Sequence, residues 1–202
     1  MKAPRYPIPA AIHRVEQVVV NSRFIATAGP AATVAEAQAF IAQIRAEFPD
    51  ATHNVYAFRV GFGGSVTDGC SDDGEPGGTA GRPALVVVQN SGLGDLVVVI
   101  TRYFGGTKLG TGGLVRAYSG AAQAVLAALP RTERVETRTV TLTVPYKLYE
   151  TVTRLVAAHE GRVDDTEFAA DVTLLLTFPV DRIDAFSASL REASAGCIAL
   201  ES

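Results

Sequence analysis

Sixteen of the 19 glycines in this 202-residue chain lie between Gly61 and Gly120; the other three are Gly29, Gly161 and Gly196. Glycine loses more conformational freedom on folding than any other residue, so such a cluster implies a backbone that turns with positive φ or approaches other groups closely. The middle of the chain is shaped by its backbone. A second change of character follows Pro130. Residues 1–130 carry 10 basic and 9 acidic side chains, whereas 131–202 carry 8 and 12. Pro130 ends a helical pattern, and Arg131-Thr132-Glu133-Arg134 has the polarity of a linker. Two domains, 1–130 and 131–202, follow from this shift.

Periodicity predicts an α+β chain. In the first domain, Val15–Val20 and Arg23–Ala28 read as strands broken at Asn21-Ser22. Thr33 and Glu36 form a capping box for a helix whose stripe is Val34, Ala37, Ile41, Ile44 and Phe48. Strands follow at Val55–Phe62 and Leu96–Phe104, then an amphipathic helix through Leu114, Tyr118, Ala121, Ala122, Val125 and Leu129. The segment Pro83–Gln89 is ambiguous, because Val86-Val87-Val88 favours a strand while Pro83 suits a first helical turn. In the second domain Val140, Leu142 and Val144 alternate with threonines, and Leu148, Val152, Leu155 and His159 follow at helical spacing. A hairpin about Ala169-Ala170, a helix capped by Asp181 and a last strand over Gly196–Leu200 complete the order βαββαβ, which is ferredoxin-like.

Composition narrows the function. Lys plus Arg total 18 against 21 Asp plus Glu, a net charge of −3, so nothing resembling a global field for polyanions exists and nucleic-acid binding needs a local patch. No apolar run, Leu96–Ile100 included, comes near the length needed to span a bilayer, and residues 1–20 hold no apolar core of a secretion signal. Two cysteines, Cys70 and Cys197, read as free thiols. These features point to the cytoplasm and away from a membrane.

Two segments can carry chemistry. In Asp68 to Gly81, four carboxylates (Asp68, Asp72, Asp73, Glu75) fall within eight residues and repel one another unless cations or N–H groups compensate. They could be oxygen ligands for Mg²⁺, with Asp72, Asp73 and Glu75 as the metal candidates, or a solvated turn whose aspartates cap the next segment. In Thr101 to Tyr118, a buried strand delivers Arg102, and a glycine loop with Lys108, Gly112 and Gly113 opens a helix carrying Arg116. Free N–H groups at a helix start attract anions, and three cations around them suit a phosphate. This is not a Walker loop, since Leu109 follows Lys108. The bland alternative is a tight strand-to-helix connection. His53 is a lone histidine that could act as a ligand or base.

The run Arg102-Tyr103-Phe104-Gly105-Gly106-x-Lys108-Leu109-Gly110-x-Gly112-Gly113-Leu114-Val115-Arg116-Ala117-Tyr118, with Ser71-Asp72-Asp73-Gly74-Glu75-Pro76-x-Gly78-Thr79-Ala80-Gly81, resembles the signature of the IMPACT family and its bacterial YigZ-like members. Ser22-Arg23-Phe24 and Ala51-Thr52-His53-Asn54 also match. The resemblance implies an N-terminal βαβ-type domain like those of a ribosomal protein and the GHMP kinases, and a ferredoxin-like C-terminal domain similar to the last domain of elongation factor G. It implies a helix over Thr79–Ser91. It also implies a cytoplasmic protein linked to translation control that contacts RNA, the ribosome or another phosphate-bearing partner. The kinase-activator partner of eukaryotic members, held by an additional N-terminal domain, does not carry over. Gly77 departs from the small hydroxyl side chain common in the family.

On this reading the chain is a binding protein without catalysis, with Arg102, Lys108 and Arg116 on phosphates and Asp72, Asp73, Glu75 and His53 beside them. Two other classes stay open: a metal-assisted phosphoryl-transfer or phosphodiester-cleaving enzyme using Mg²⁺, and a protein-interaction module on the C-terminal sheet. The reading requires the acidic and basic motifs to meet in space.

Overall fold

The structure, a computed structural model, describes residues 5–198 and residue 200. The chain divides into two compact units between Arg134 and Val135. Residues 131–134 are not a linker: β7 (Arg131–Val135) pairs with β1 (Arg5–Pro9) in a two-stranded ribbon, and Ala10 N–H bonds the Pro130 carbonyl at 2.8 Å.

The first unit is built on a five-stranded sheet of β2 (His13–Val19), β3 (Ser22–Pro30), β4 (His53–Phe62), β5 (Ser65–Ser71) and β6 (Leu96–Tyr103), in the order β2-β3-β6-β4-β5. Every neighbouring pair is antiparallel, so β3 and β4 run parallel with β6 between them, a split βαβ closed by α1 (Val34–Glu47). Val20 and Asn21 take the left-handed conformation at the β2–β3 turn, with φ of 46° and 64°. The turn therefore falls on Val20-Asn21, one residue before the expected Asn21-Ser22 break, and Ser22 opens β3 as a buried residue. At α1 the Thr33 hydroxyl accepts from Glu36 N–H at 3.1 Å, and Glu36 reaches back to Ala32 N–H at 2.8 Å.

Alternation along β6 separates two cores. Val97 and Val99 face α1 with Phe40, Ile41, Ile44 and Phe58, while Leu96, Val98 and Ile100 face α2 (Gly81–Gln89) and α3 (Gly110–Ala128). The ambiguous valine run is thus helical: Ala84, Leu85 and Val88 form one buried stripe, and tertiary burial overrides strand propensity.

The second unit follows the predicted order through its first five elements: β8 (Thr137–Val144), α4 (Tyr146–Ala158), β9 (Arg162–Phe168), β10 (Val172–Pro179) and α5 (Ile183–Ala193). β10 lies between β8 and β9, antiparallel to both, which is the split βαβ of a ferredoxin-like fold. Two expectations need correction. Asp181 sits inside a one-turn 3-10 helix (Val180–Arg182), so Arg182 occupies the cap position of α5. The expected last strand does not begin at Gly196, where residues 196–198 form turn, bend and coil; Ala199 lies outside the described residues. No helix among the described residues is long and apolar enough to cross a membrane.

Candidate functional site

The residue after Ile100 on the inner face of β6 is Arg102. Sheet register sets Arg102 opposite Phe24 on one side and His53 on the other, so the three share a face at the end of the central strand. An arginine here, only 4% exposed, needs compensation. Glu75 supplies it. Arg102 Nη1 donates to Glu75 Oε1 at 2.5 Å, and the Tyr118 hydroxyl, from the buried face of α3, donates to the same oxygen at 2.6 Å. Arg102 Nη2 donates to Ser22 Oγ at 3.2 Å, and its guanidinium lies 5.4 Å from the Phe24 ring centre and 5.6 Å from that of Phe104. Nε alone is buried with no hydrogen-bond partner among the described residues. Burial, reinforced by the bond to Glu75, pushes the Tyr118 phenol far above its ordinary pKa, so it stays protonated and acts as a donor.

His53 braces the acidic turn. Its Nδ1 meets the Asp73 carbonyl at 2.8 Å; a carbonyl only accepts, so this nitrogen carries hydrogen, and Nε2 is left 3.8 Å from Glu75 Oε2. Asp73 adopts a φ of +46° and is used locally: one carboxylate oxygen accepts from Arg45 Nη2 at 2.5 Å, the other from Asn54 N–H at 2.6 Å. Asp72 caps α2 from outside the helix. Its oxygens accept from the N–H groups of Gly78 at 2.8 Å, Ala80 at 3.0 Å and Gly81 at 2.8 Å. Burial pushes its pKa up, but these three backbone bonds outweigh it and hold the carboxyl below its ordinary value.

The metal candidates therefore do not gather. Asp72 serves a helix end, Asp73 an arginine and a strand, and Glu75 an arginine and a tyrosine. Among the described residues no three His, Cys, Asp or Glu side chains form a group able to hold a metal ion. The capping alternative describes Asp72 better.

Both motifs do meet. Glu75 and Pro76 from the acidic turn, with Arg102, Phe104, Lys108, Leu109, Gly110, Thr111 and Leu114 from the second motif, line a cavity of about 350 Å³. The first turn of α3 opens onto it. Among the described residues no side chain caps that helix, and its first turn holds no acidic residue, so its positive end has no local counter-charge. Lys108, Gly110, Thr111 and Gly112 are exposed there. A Cβ at Gly112 would meet only Arg116 Nη1, at 3.7 Å, whereas one at Gly113 would press on Leu109 Cβ at 3.0 Å. Gly112 leaves the backbone open to a ligand, while Gly113 serves packing. Arg116 lines an adjoining groove with Gln17, Val19 and Val20 rather than the cavity of Arg102 and Lys108, although its Nη1 stands over Gly112 in the first turn. Gly77 has open space where a side chain would stand and no left-handed φ, so a hydroxyl side chain fits without cost.

Ser22, Phe104 and Tyr118 complete the site without having been singled out by sequence. Tyr118 falls on the apolar stripe of α3, and the available signal was its hydroxyl, which needs a partner when buried.

Residues 20–126 match the model of the Impact N-terminal domain, and residues 142–196 match a domain of unknown function, DUF1949. The chain is 37% identical to the IMPACT family member YigZ of Escherichia coli (strain K12), over 96% of this chain and 95% of that one. It is 36% identical to an IMPACT family member of Haemophilus influenzae, over 97% and 96%. A solved crystal structure of a hypothetical protein superposes with a TM-score of 0.70 at 36% identity, covering 99% of this chain and 98% of the other.

Proposed function

The chain belongs to the IMPACT family, and from that premise we propose that it is a non-enzymatic binding protein of the cytoplasm, linked to the regulation of translation, that holds a phosphate-bearing partner, RNA or the ribosome, at the start of α3. One observation carries this reading: the acidic and glycine-rich motifs share a cavity in which an uncapped helix N-terminus, Lys108 and a buried Arg102 face the same space. Backbone N–H groups at a helix start bind phosphate oxygens without any further device, and a nearby lysine adds charge. Glu75 and Tyr118 act as positioning residues. They hold the Arg102 guanidinium in place and offset the desolvation cost of burying its charge.

The test is binding of the full chain to single-stranded RNA and to purified ribosomes across a salt series. Affinity falls steeply from 50 to 200 mM salt, because each phosphate contact releases counterions. Lys108→Ala reduces the slope of log affinity against log salt by about 0.7 on a single strand, one contact's share. Binding that responds neither to salt nor to Lys108→Ala would remove this reading.

A further inference from the structure

The cavity has a feature that a bare phosphate does not use. Phe104 lies immediately after β6 and is 46% exposed, yet it lines the same cavity as the first turn of α3. Scattered exposed apolar side chains are ordinary, but this one stands on fixed backbone. Phe104 N–H bonds Thr52 Oγ1 at 3.1 Å, and Gly105 N–H bonds Ser22 Oγ at 3.2 Å. Gly105 also packs directly on the Asn21 backbone, where no Cβ could fit. The ring is held near the Arg102 guanidinium on one side, and the remaining cavity walls from Pro76, Leu109 and Leu114 are apolar. Arg102 itself lines the cavity, while its Nε is enclosed and has no hydrogen-bond partner among the described residues.

We infer that the cavity takes a single nucleoside phosphate, its base stacked on Phe104 and its phosphate at Lys108 and the first turn of α3. This deepens the phosphate reading above and rests on it. A volume of about 350 Å³ is near the small end of ligand pockets and enough for one nucleotide. Aromatic side chains take unstacked bases of any sequence, so the ligand is an unpaired nucleotide. Its source is either a free nucleotide or the unpaired end or loop of an RNA.

The experiment uses the full chain and a labelled single-stranded oligonucleotide, with adenosine monophosphate, ribose 5-phosphate, inorganic phosphate and a blunt RNA duplex as competitors. Adenosine monophosphate competes at least about fivefold better than ribose 5-phosphate, the share expected of one base on one aromatic ring. Phe104→Leu, which keeps an apolar side chain at an exposed position, abolishes that difference, read as the ratio of adenosine monophosphate to ribose 5-phosphate competition so that any change in phosphate affinity cancels. Competition by the mononucleotide as strong as by a single strand identifies the free nucleotide as the source; a much stronger single strand identifies RNA. Either result supports the inference. Equal competition by ribose 5-phosphate and adenosine monophosphate, an unaltered difference in Phe104→Leu, or a duplex that competes as well as the single strand overturns it. Those results leave the phosphate site intact, which fails separately if Lys108→Ala changes nothing.

Discussion

Removing Glu75 should damage the first unit far more than its two hydrogen bonds suggest. In Glu75→Ala the Arg102 guanidinium, whose side chain is 5% exposed, retains Ser22 Oγ as its remaining named acceptor, and the Tyr118 hydroxyl loses its own. Breaking a buried ion pair from one side costs about 3–5 kcal/mol, because the surviving charge stays desolvated. The orphaned phenol belongs to the same network and is not added separately. The complementary variant, Glu75→Leu with Arg102→Met and Tyr118→Phe, removes every charge and donor together and should recover most of that loss, since a buried pair is often no better than apolar packing. Urea unfolding followed by circular dichroism gives the totals. The protein has two units and unfolding need not be two-state, so amide hydrogen exchange assigns the loss. Amides of Val98 and Ile100 in β6 should lose protection in Glu75→Ala, while those of Leu174 and Leu176 in β10 should not. A loss below about 1 kcal/mol, or a triple variant as unstable as the single one, would refute the claim that Glu75 exists to neutralise Arg102.

Asp72→Ala leaves two backbone N–H groups at the α2 start and that of Gly78 in the preceding turn without this acceptor, and should cost about 2 kcal/mol in urea unfolding, the upper end for a helix cap. Because the folded Asp72 carboxyl lies below its ordinary value of 3.8, its contribution is fully present above that pH and is lost as pH falls through the folded value; Asp72→Ala should flatten the acid limb of the stability profile. Gly81→Ala places a Cβ 2.6 Å from the Ser71 backbone and should destabilise by about 1–3 kcal/mol, whereas Gly77→Ser, into open space, should stay within about 0.5 kcal/mol; thermal melts compare the two. Cys197 is exposed, while burial pushes the half-buried Cys70 thiol pKa up with help from the Asp72 charge, so a thiol reagent at pH 8 should label Cys197 well before Cys70.

The sequence carried the elements whose signal is local. Thr33 and Glu36 announce α1, Asn21-Ser22 marks the break between β2 and β3 to within one residue, and the threonine alternation marks β8. β5 escaped because its Ser65–Ser71 run has a single branched apolar residue among polar ones and becomes a strand only as an edge paired to β4. β7 escaped for the same reason: Arg131–Val135 looks like a linker until β1 pairs with it. At the site, the meeting of the two motifs was legible as a need for charge compensation. The division of labour was not. Asp72 caps a helix that starts nine residues later, beyond any local capping pattern. Lys108 in the loop and Arg116 on the helix belong to one basic motif along the chain, yet Lys108 lines the cavity and Arg116 an adjoining groove.

The claim at the centre is that an anion sits on the first turn of α3, and amide chemical shifts of that turn read it directly. Titrating inorganic phosphate into the isotopically labelled full chain should move the amides of Gly110, Thr111 and Gly112 together and saturably, with the α5 amides still. Phosphate that leaves those three unmoved while shifting amides elsewhere would contradict the account.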